Sequence, residues 1–150
     1  METPQIVTRL MRSLRAPQPE PLPEPDEKLA LGALMVRVAK SDHRYQFAEI
    51  SRIDRLLGSL YGLDPVAAAK MRATCEKLEH AAPETGHFAH IIRESVRFEA
   101  RIDALEALWE VVLADGMRRD AELEVMTAAQ EALGLSAADS ETARSRAEGM

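Results

Sequence analysis

The sequence predicts an all-α fold, a single-domain bundle of about seven helices, on three observations. Apolar residues recur at three- and four-residue spacing almost without interruption from Leu31 to Leu133. No stretch shows the strict alternation of a half-buried strand. Alanine, leucine, glutamate and arginine are plentiful, whereas aromatic residues make up only 4% of the chain, a composition that favours helix throughout.

The elements follow in order. Ile6, Val7, Leu10, Met11 and Leu14 stand at helical spacing with Arg9, Arg12 and Arg15 between them, a short amphipathic helix. Pro17, Pro19, Pro21, Pro23 and Pro25 then alternate with other residues, which excludes helix and favours an extended polyproline linker. Residues 1–25 are therefore a tethered segment, and the globular domain occupies 26–150. Leu31, Leu34, Met35 and Val38 make one face of its first helix, which stops at Lys40-Ser41-Asp42. A second face runs Phe47, Ile50, Ile53, Leu57 and Leu60 and ends on Gly62, a left-handed cap. Asp64 and Pro65 open a third helix as N-cap and first-turn residue, with Ala68, Met71, Cys75 and Leu78 inward. Pro83 and Gly86 bracket a break before Phe88, Ile91, Ile92 and Val96. Ile102, Leu105, Leu108, Trp109 and Val112 form a long fifth helix that stops at Asp115-Gly116. Leu123, Met126, Ala129 and Leu133 form a sixth, closed by Gly134, and Ser136 caps a weakly apolar last helix holding Ala143 and Ala147.

With 150 residues, one domain buries roughly 70% of the surface its unfolded chain exposes, so no disulfide or metal is required for a core. Cys75 is the single cysteine, which fits a reducing, cytoplasmic compartment. Acids outnumber bases 25 to 19, giving a net charge of −6, which argues against a nucleic-acid partner. No apolar run reaches the ~20 residues that span a bilayer, and the arginine-interrupted N-terminus is not a secretory signal. That N-terminal helix suits weak association with an anionic membrane surface or docking on a protein partner; alone, a helix of about a dozen residues is marginal.

Two parts of the chain resemble each other. Leu31, Leu34, Met35 and Val38 lead into Asp42, and Ala104, Ala107, Leu108 and Val111 lead into Asp115 at the same offsets. Glu49 follows Asp42 by seven residues, as Glu122 follows Asp115. An apolar helix follows each glutamate and ends on Gly-Leu, at Gly62-Leu63 and Gly134-Leu135. A helix–loop–helix duplicated in this way is expected to pack about a pseudo-two-fold axis, each unit burying its apolar face against the other.

At these residues the chain resembles the TerB-like family, named for tellurite resistance protein B. The stretch ALEALWEVVLADGMRRDAELEVMTAAQEALGLS carries the resemblance most strongly, and LALGALMVRVAKSDHRYQFAEISRIDRLLGSLYGLD looks like the first copy. The N-terminal helix and proline linker are similar to those of the family's uncharacterised bacterial branch. The resemblance, over residues 26–136, implies an all-helical bundle with acidic loops proposed to bind divalent cations. It further implies a link to tellurite and other stress resistance, often near membranes, with no established enzymatic activity. The chain departs from the pattern at His43, where the family prefers glycine, and at Gln46 and Arg119, where an acid is common.

Asp42, Glu49, Asp115 and Glu122 are the candidate metal ligands. Hard cations such as Ca²⁺ and Mg²⁺ take oxygen donors, and four acids converging across a pseudo-two-fold would repel one another unless a cation sat between them. In the competing reading both glutamates favour helix N-termini and both aspartates are loop formers. The spaced acids and glycine of an EF-hand loop are absent. His87 and His90 stand three apart, without the four-ligand array of a structural zinc site, and His43 and His80 are attached to neither. Cys75, among Met71 and Leu78, reads as a buried thiol, and Trp109 as core. The Arg118-Arg119 pair suits phosphate or, more simply, a solvated loop. The expectation is a non-catalytic, stress-response module of the tellurite-resistance type that binds a divalent cation through its acidic loops. The alternatives are a ligand-free structural or interaction scaffold and a carboxylate-rich metal hydrolase.

Overall fold

The computed structural model describes residues 21–82, 84–114 and 120–149. The described residues form seven helices: α1 (Glu27–Lys40), α2 (Phe47–Tyr61), α3 (Pro65–Ala81), α4 (Thr85–Ser95), α5 (Phe98–Leu113), α6 (Asp120–Ala132) and α7 (Ala137–Ala147). No strand occurs among the described residues, as the periodicity predicts. No described helix is long and apolar enough to cross a membrane. The N-terminal helix expected around Ile6–Leu14 lies outside the described residues, as do Pro83 and residues 115–119.

Local chemistry sets most of the boundaries. Asp26, Asp64 and Ser136 each accept a backbone N–H two or three residues into the helix they open, from Leu29, Ala67 and Asp139. Gly62 and Gly134 end α2 and α6 in the left-handed conformation, at φ 64° and 74°. The following leucines then close the same six-residue turn, Leu63 N–H to Gly58 O and Leu135 N–H to Gln130 O. Gly86 is the second residue of α4 rather than part of the break; in a first turn the N–H has no helical partner in any case, so glycine is tolerated there. The end of α3 is held from outside, by Arg37, which donates to the carbonyls of Glu79 and Ala82 at 3.2 and 2.7 Å.

Helix α1 is the axis of the bundle and packs against α2, α3, α4, α5 and α6. Its sequence reads as one apolar face, but Ala30, Ala33, Val36 and Ala39 are buried along with Leu31, Leu34, Met35 and Val38. A helix enclosed on all sides needs small residues where neighbours approach closely. Gly32 is such a residue, because a Cβ there would overlap Cys75 Sγ of α3. On the other flank α5 carries α7, joined by the buried bond from Trp109 Nε1 to Ser140 Oγ at 3.1 Å.

The expected inward face of α2 holds only in its middle. Ile53 and Leu57 are fully buried, whereas Phe47 is 83% and Leu60 47% exposed. Those two sit at the first and next-to-last positions of the helix, beyond the neighbours that cover its centre. The buried stripe instead runs Glu49, Ile53, Leu57, four residues apart, and a carboxylate stands at its head.

Candidate functional site

The first loop is built by its own hydrogen bonds. Ser41 Oγ donates to Val38 O at 2.7 Å and His43 N–H to Lys40 O at 2.9 Å. Asp42 Oδ1 accepts the Arg44 N–H at 2.9 Å, an Asx-type turn. This turn carries His43 to φ 63°, the left-handed region that glycine favours. Gln46, in extended conformation, then opens α2, and its N–H donates to Glu49 Oε1 at 3.4 Å.

Glu49 is the third residue of α2 and 1% exposed. Glu122 is the third residue of α6 and also 1% exposed. Ser140 is the only other buried polar side chain among the described residues. An ionised carboxylate is costly to bury unless hydrogen bonds or a counter-charge offset the loss of water. The chain encloses a carboxyl group in this way at the third position of α2 and of α6. Asp42 is half-buried; its equivalent, Asp115, lies outside the described residues together with Gly116, Arg118 and Arg119.

Two clefts draw part of their lining from repeat-related residues. A cleft of about 400 Å³ is lined by Ser41 and His43 of the first loop, Arg37 and Lys40 of α1, and Ala121, Glu124 and Val125 of α6. A second, of about 380 Å³, is lined by Arg52 of α2, Glu110 and Leu113 of α5, and the end of α7. A shift of 73 residues, the one that relates Glu49 to Glu122, carries Arg37 to Glu110, Lys40 to Leu113 and Arg52 to Val125. The second helix of each copy thus lies against the C-terminal half of the other copy's first helix. The first loop faces the start of α6.

Tyr45 anchors that loop to the bundle. Its phenol is pushed up to about 12 by burial and then by Glu76, with Arg72 opposing. Arg72 links α2 to α3 through Asp54 and, at 2.6 Å, pairs with Glu76 one turn along its own helix.

The donor set is all oxygen, which matches hard cations and not zinc or copper. Among the described residues no three His, Cys, Asp or Glu side chains gather to hold a metal ion, Asp42, Glu49 and Glu122 included; Asp115 lies outside the described residues. The histidines do other things. His90 Nε2 pairs with Glu94 Oε1 at 3.0 Å, and His87 lies edge-on to Phe88 with ring centres 5.2 Å apart. Cys75 is buried, as its neighbours in sequence predict, and its thiol is pushed up to about 12 by burial, then by Asp26 and Glu76. A neutral, enclosed thiol is not a nucleophile.

Both glutamates stand at helix starts, as the sequence predicts, but a helix-start acid is ordinarily at the surface and these are buried. The signal of their depth is spacing, since each stands four residues before a core residue, Ile53 or Met126. Ser140, the partner of Trp109, was not legible, because the bond joins residues 31 apart on different helices.

A protein-family model described as Tellurite resistance protein TerB matches residues 28–145. No curated protein and no solved structure matches the chain.

Proposed function

The chain belongs to the TerB family, and from that premise we propose that it is a non-catalytic, cytoplasmic stress-response module of the tellurite-resistance type. In this reading its two loop–helix junctions hold a divalent cation, Ca²⁺ or Mg²⁺, through Asp42, Glu49, Asp115 and Glu122. The observation that carries the reading is the equivalent burial of Glu49 and Glu122, each at the third position of its helix. The two clefts favour a pseudo-two-fold arrangement of the two copies, in which the loops lie on related sides of one axis. The cation would supply charge neutralisation; the protein supplies oxygen donors fixed by the helix starts.

The second copy is the stronger site. His43 occupies a left-handed position, and Asp42 already accepts the Arg44 N–H, so the first loop is closed on itself. The second loop has Gly116 at the equivalent position, with Asp115 before it. Isothermal titration of Ca²⁺ and Mg²⁺ into metal-free protein tests the proposal, with saturable binding lost in an Asp115→Asn/Glu122→Gln variant. Absence of binding heat and of any shift in melting would leave the second reading, a ligand-free scaffold. That reading is favoured by the reach of Glu49 back to Gln46 N–H, a capping role that needs no ion.

A further inference from the structure

Two arginines meet at the C-terminal end of α6, and no acid balances them. A Cβ placed on Gly134, which closes that helix, would lie 2.9 Å from Arg93 Nε of α4 and 3.1 Å from Arg101 Nη1 of α5. The missing side chain is what lets both guanidinium groups border one stretch of bare backbone. Among the described residues neither arginine has a carboxylate within 4.0 Å, whereas Arg37, Arg72, Arg144 and Arg146 are each ion-paired.

Helix capping accounts for only part of this arrangement. Arg101 Nη1 donates to Leu133 O at 2.8 Å, and its guanidinium lies over the half-exposed Phe98 ring, 5.6 Å from the centre. A helix C-terminus carries about half an elementary negative charge. Two permanently ionised guanidinium groups exceed it, so this end of the bundle stays basic. Holding Arg101 here also leaves its Nε shut off from solvent without an acceptor, a cost that a cap serving stability alone would avoid. Arg93, in the last turn of α4, is exposed and forms no side-chain hydrogen bond among the described residues.

We propose that Arg93 and Arg101 form a binding site for a small phosphate dianion, either inorganic phosphate or a phosphate monoester. A guanidinium presents its N–H donors in a planar fork that matches phosphate oxygens, and two such forks match the double charge. Leu133 O and the Phe98 ring already orient Arg101, so little side-chain freedom is lost on binding. The net charge of −6 repels an extended polyanion and so selects a small ligand that meets this one basic spot.

The test uses the full chain, enriched in ¹⁵N, at about pH 8, where phosphate has lost its second proton. Ionic strength is held constant with chloride. Added phosphate should shift the amide signal of Gly134 and the Nε–H signals of Arg93 and Arg101 along one saturable curve. A parallel titration with phenyl phosphate separates the two sources: tighter binding marks an ester as the ligand, equal or weaker binding the free anion. Arg93→Gln, at an exposed position where the fold is not at stake, should weaken binding about tenfold or more. Arg55→Gln, at another exposed arginine without an ion pair, should leave it unchanged. The inference is overturned by shifts that chloride alone reproduces, by saturable binding that survives in Arg93→Gln, or by equal weakening in Arg55→Gln.

Discussion

Glu49 and Glu122 stand 73 residues apart in the chain and occupy one and the same place in the fold, the third position of a helix with the carboxylate shut off from solvent. Each heads a buried stripe that continues four residues later, to Ile53 in α2 and to Met126 in α6. The loop sequences that precede them differ, and the consequences of the difference can be measured.

His43 is the clearest case. It is the one non-glycine residue with positive φ among the described residues, and its counterpart in the second loop is Gly116. A left-handed residue with a Cβ loses about 1 kcal/mol or more, and glycine returns part of that gain to the unfolded chain. His43→Gly should therefore raise stability by about 0.5–1 kcal/mol, or a few degrees in melting temperature. His43→Ala keeps the Cβ and should bring no gain. Thermal melts of the two variants against the parent decide it; equal gains from glycine and alanine would mean the side chain, not the backbone, is at issue.

Gly32 of α1 sits against Cys75 of α3. Alanine is the better helix former by about 1 kcal/mol. Its Cβ, however, would overlap Cys75 Sγ, which is fully buried. Overpacking of this kind costs about 1–3 kcal/mol, so Gly32→Ala should destabilise on balance. Adding Cys75→Ala removes the sulfur, and denaturant unfolding of the pair should show a less than additive loss.

Much of this fold is legible in the residues. The caps at Asp26, Asp64, Gly62, Gly134 and Ser136 act through neighbours a few positions away, so a local reading places them. Burial is a tertiary matter and is read less well. Periodicity assigns α1 one face, yet a helix at the centre of the bundle is covered all round, and the alanines between the larger residues were the available clue. Phe47 follows the period of α2 and is still 83% exposed, because it is the first residue of the helix and no described neighbour covers it. The acids of the candidate site were found by repetition; their depth was not, because an acid at a helix start is ordinarily solvated.

The bond between Trp109 and Ser140 ties α7 to the rest. Ser140→Ala would leave the indole N–H buried without an acceptor, a loss of about 1–3 kcal/mol. Since Trp109 is the only tryptophan, its fluorescence reports the α5–α7 contact directly. The variant should show lower stability to denaturant with the transition still seen by this probe. An unchanged midpoint would mean the bond carries no net stability.

High pH should unfold the protein through groups held neutral in its interior. Tyr45 and Tyr61, raised from 10.0 to about 12, and Cys75, raised from 9.0 to about 12, owe the shift first to burial. Each has a folded value above its unfolded one, so its contribution is complete below the unfolded value and is lost as pH rises toward 12. Tyrosinate absorbance should stay low through pH 10.0, the ordinary phenol value, and then rise together with loss of helical circular dichroism. A rise centred on the ordinary value with the helix intact would show that both phenols reach water in the native state.

The most direct test of the account is the melting temperature of the full chain with and without Ca²⁺ or Mg²⁺, in parent, Asp42→Asn/Glu49→Gln and Asp115→Asn/Glu122→Gln forms. An ion that binds only the native state, at 100 times its Kd, adds about 2.7 kcal/mol, or on the order of 5–10 °C for a chain of this size. The account predicts that shift in the parent, most of it retained in the first-loop variant, and none in the second-loop variant, whose metal-free melt stays cooperative. A parent melting temperature indifferent to both cations would contradict it.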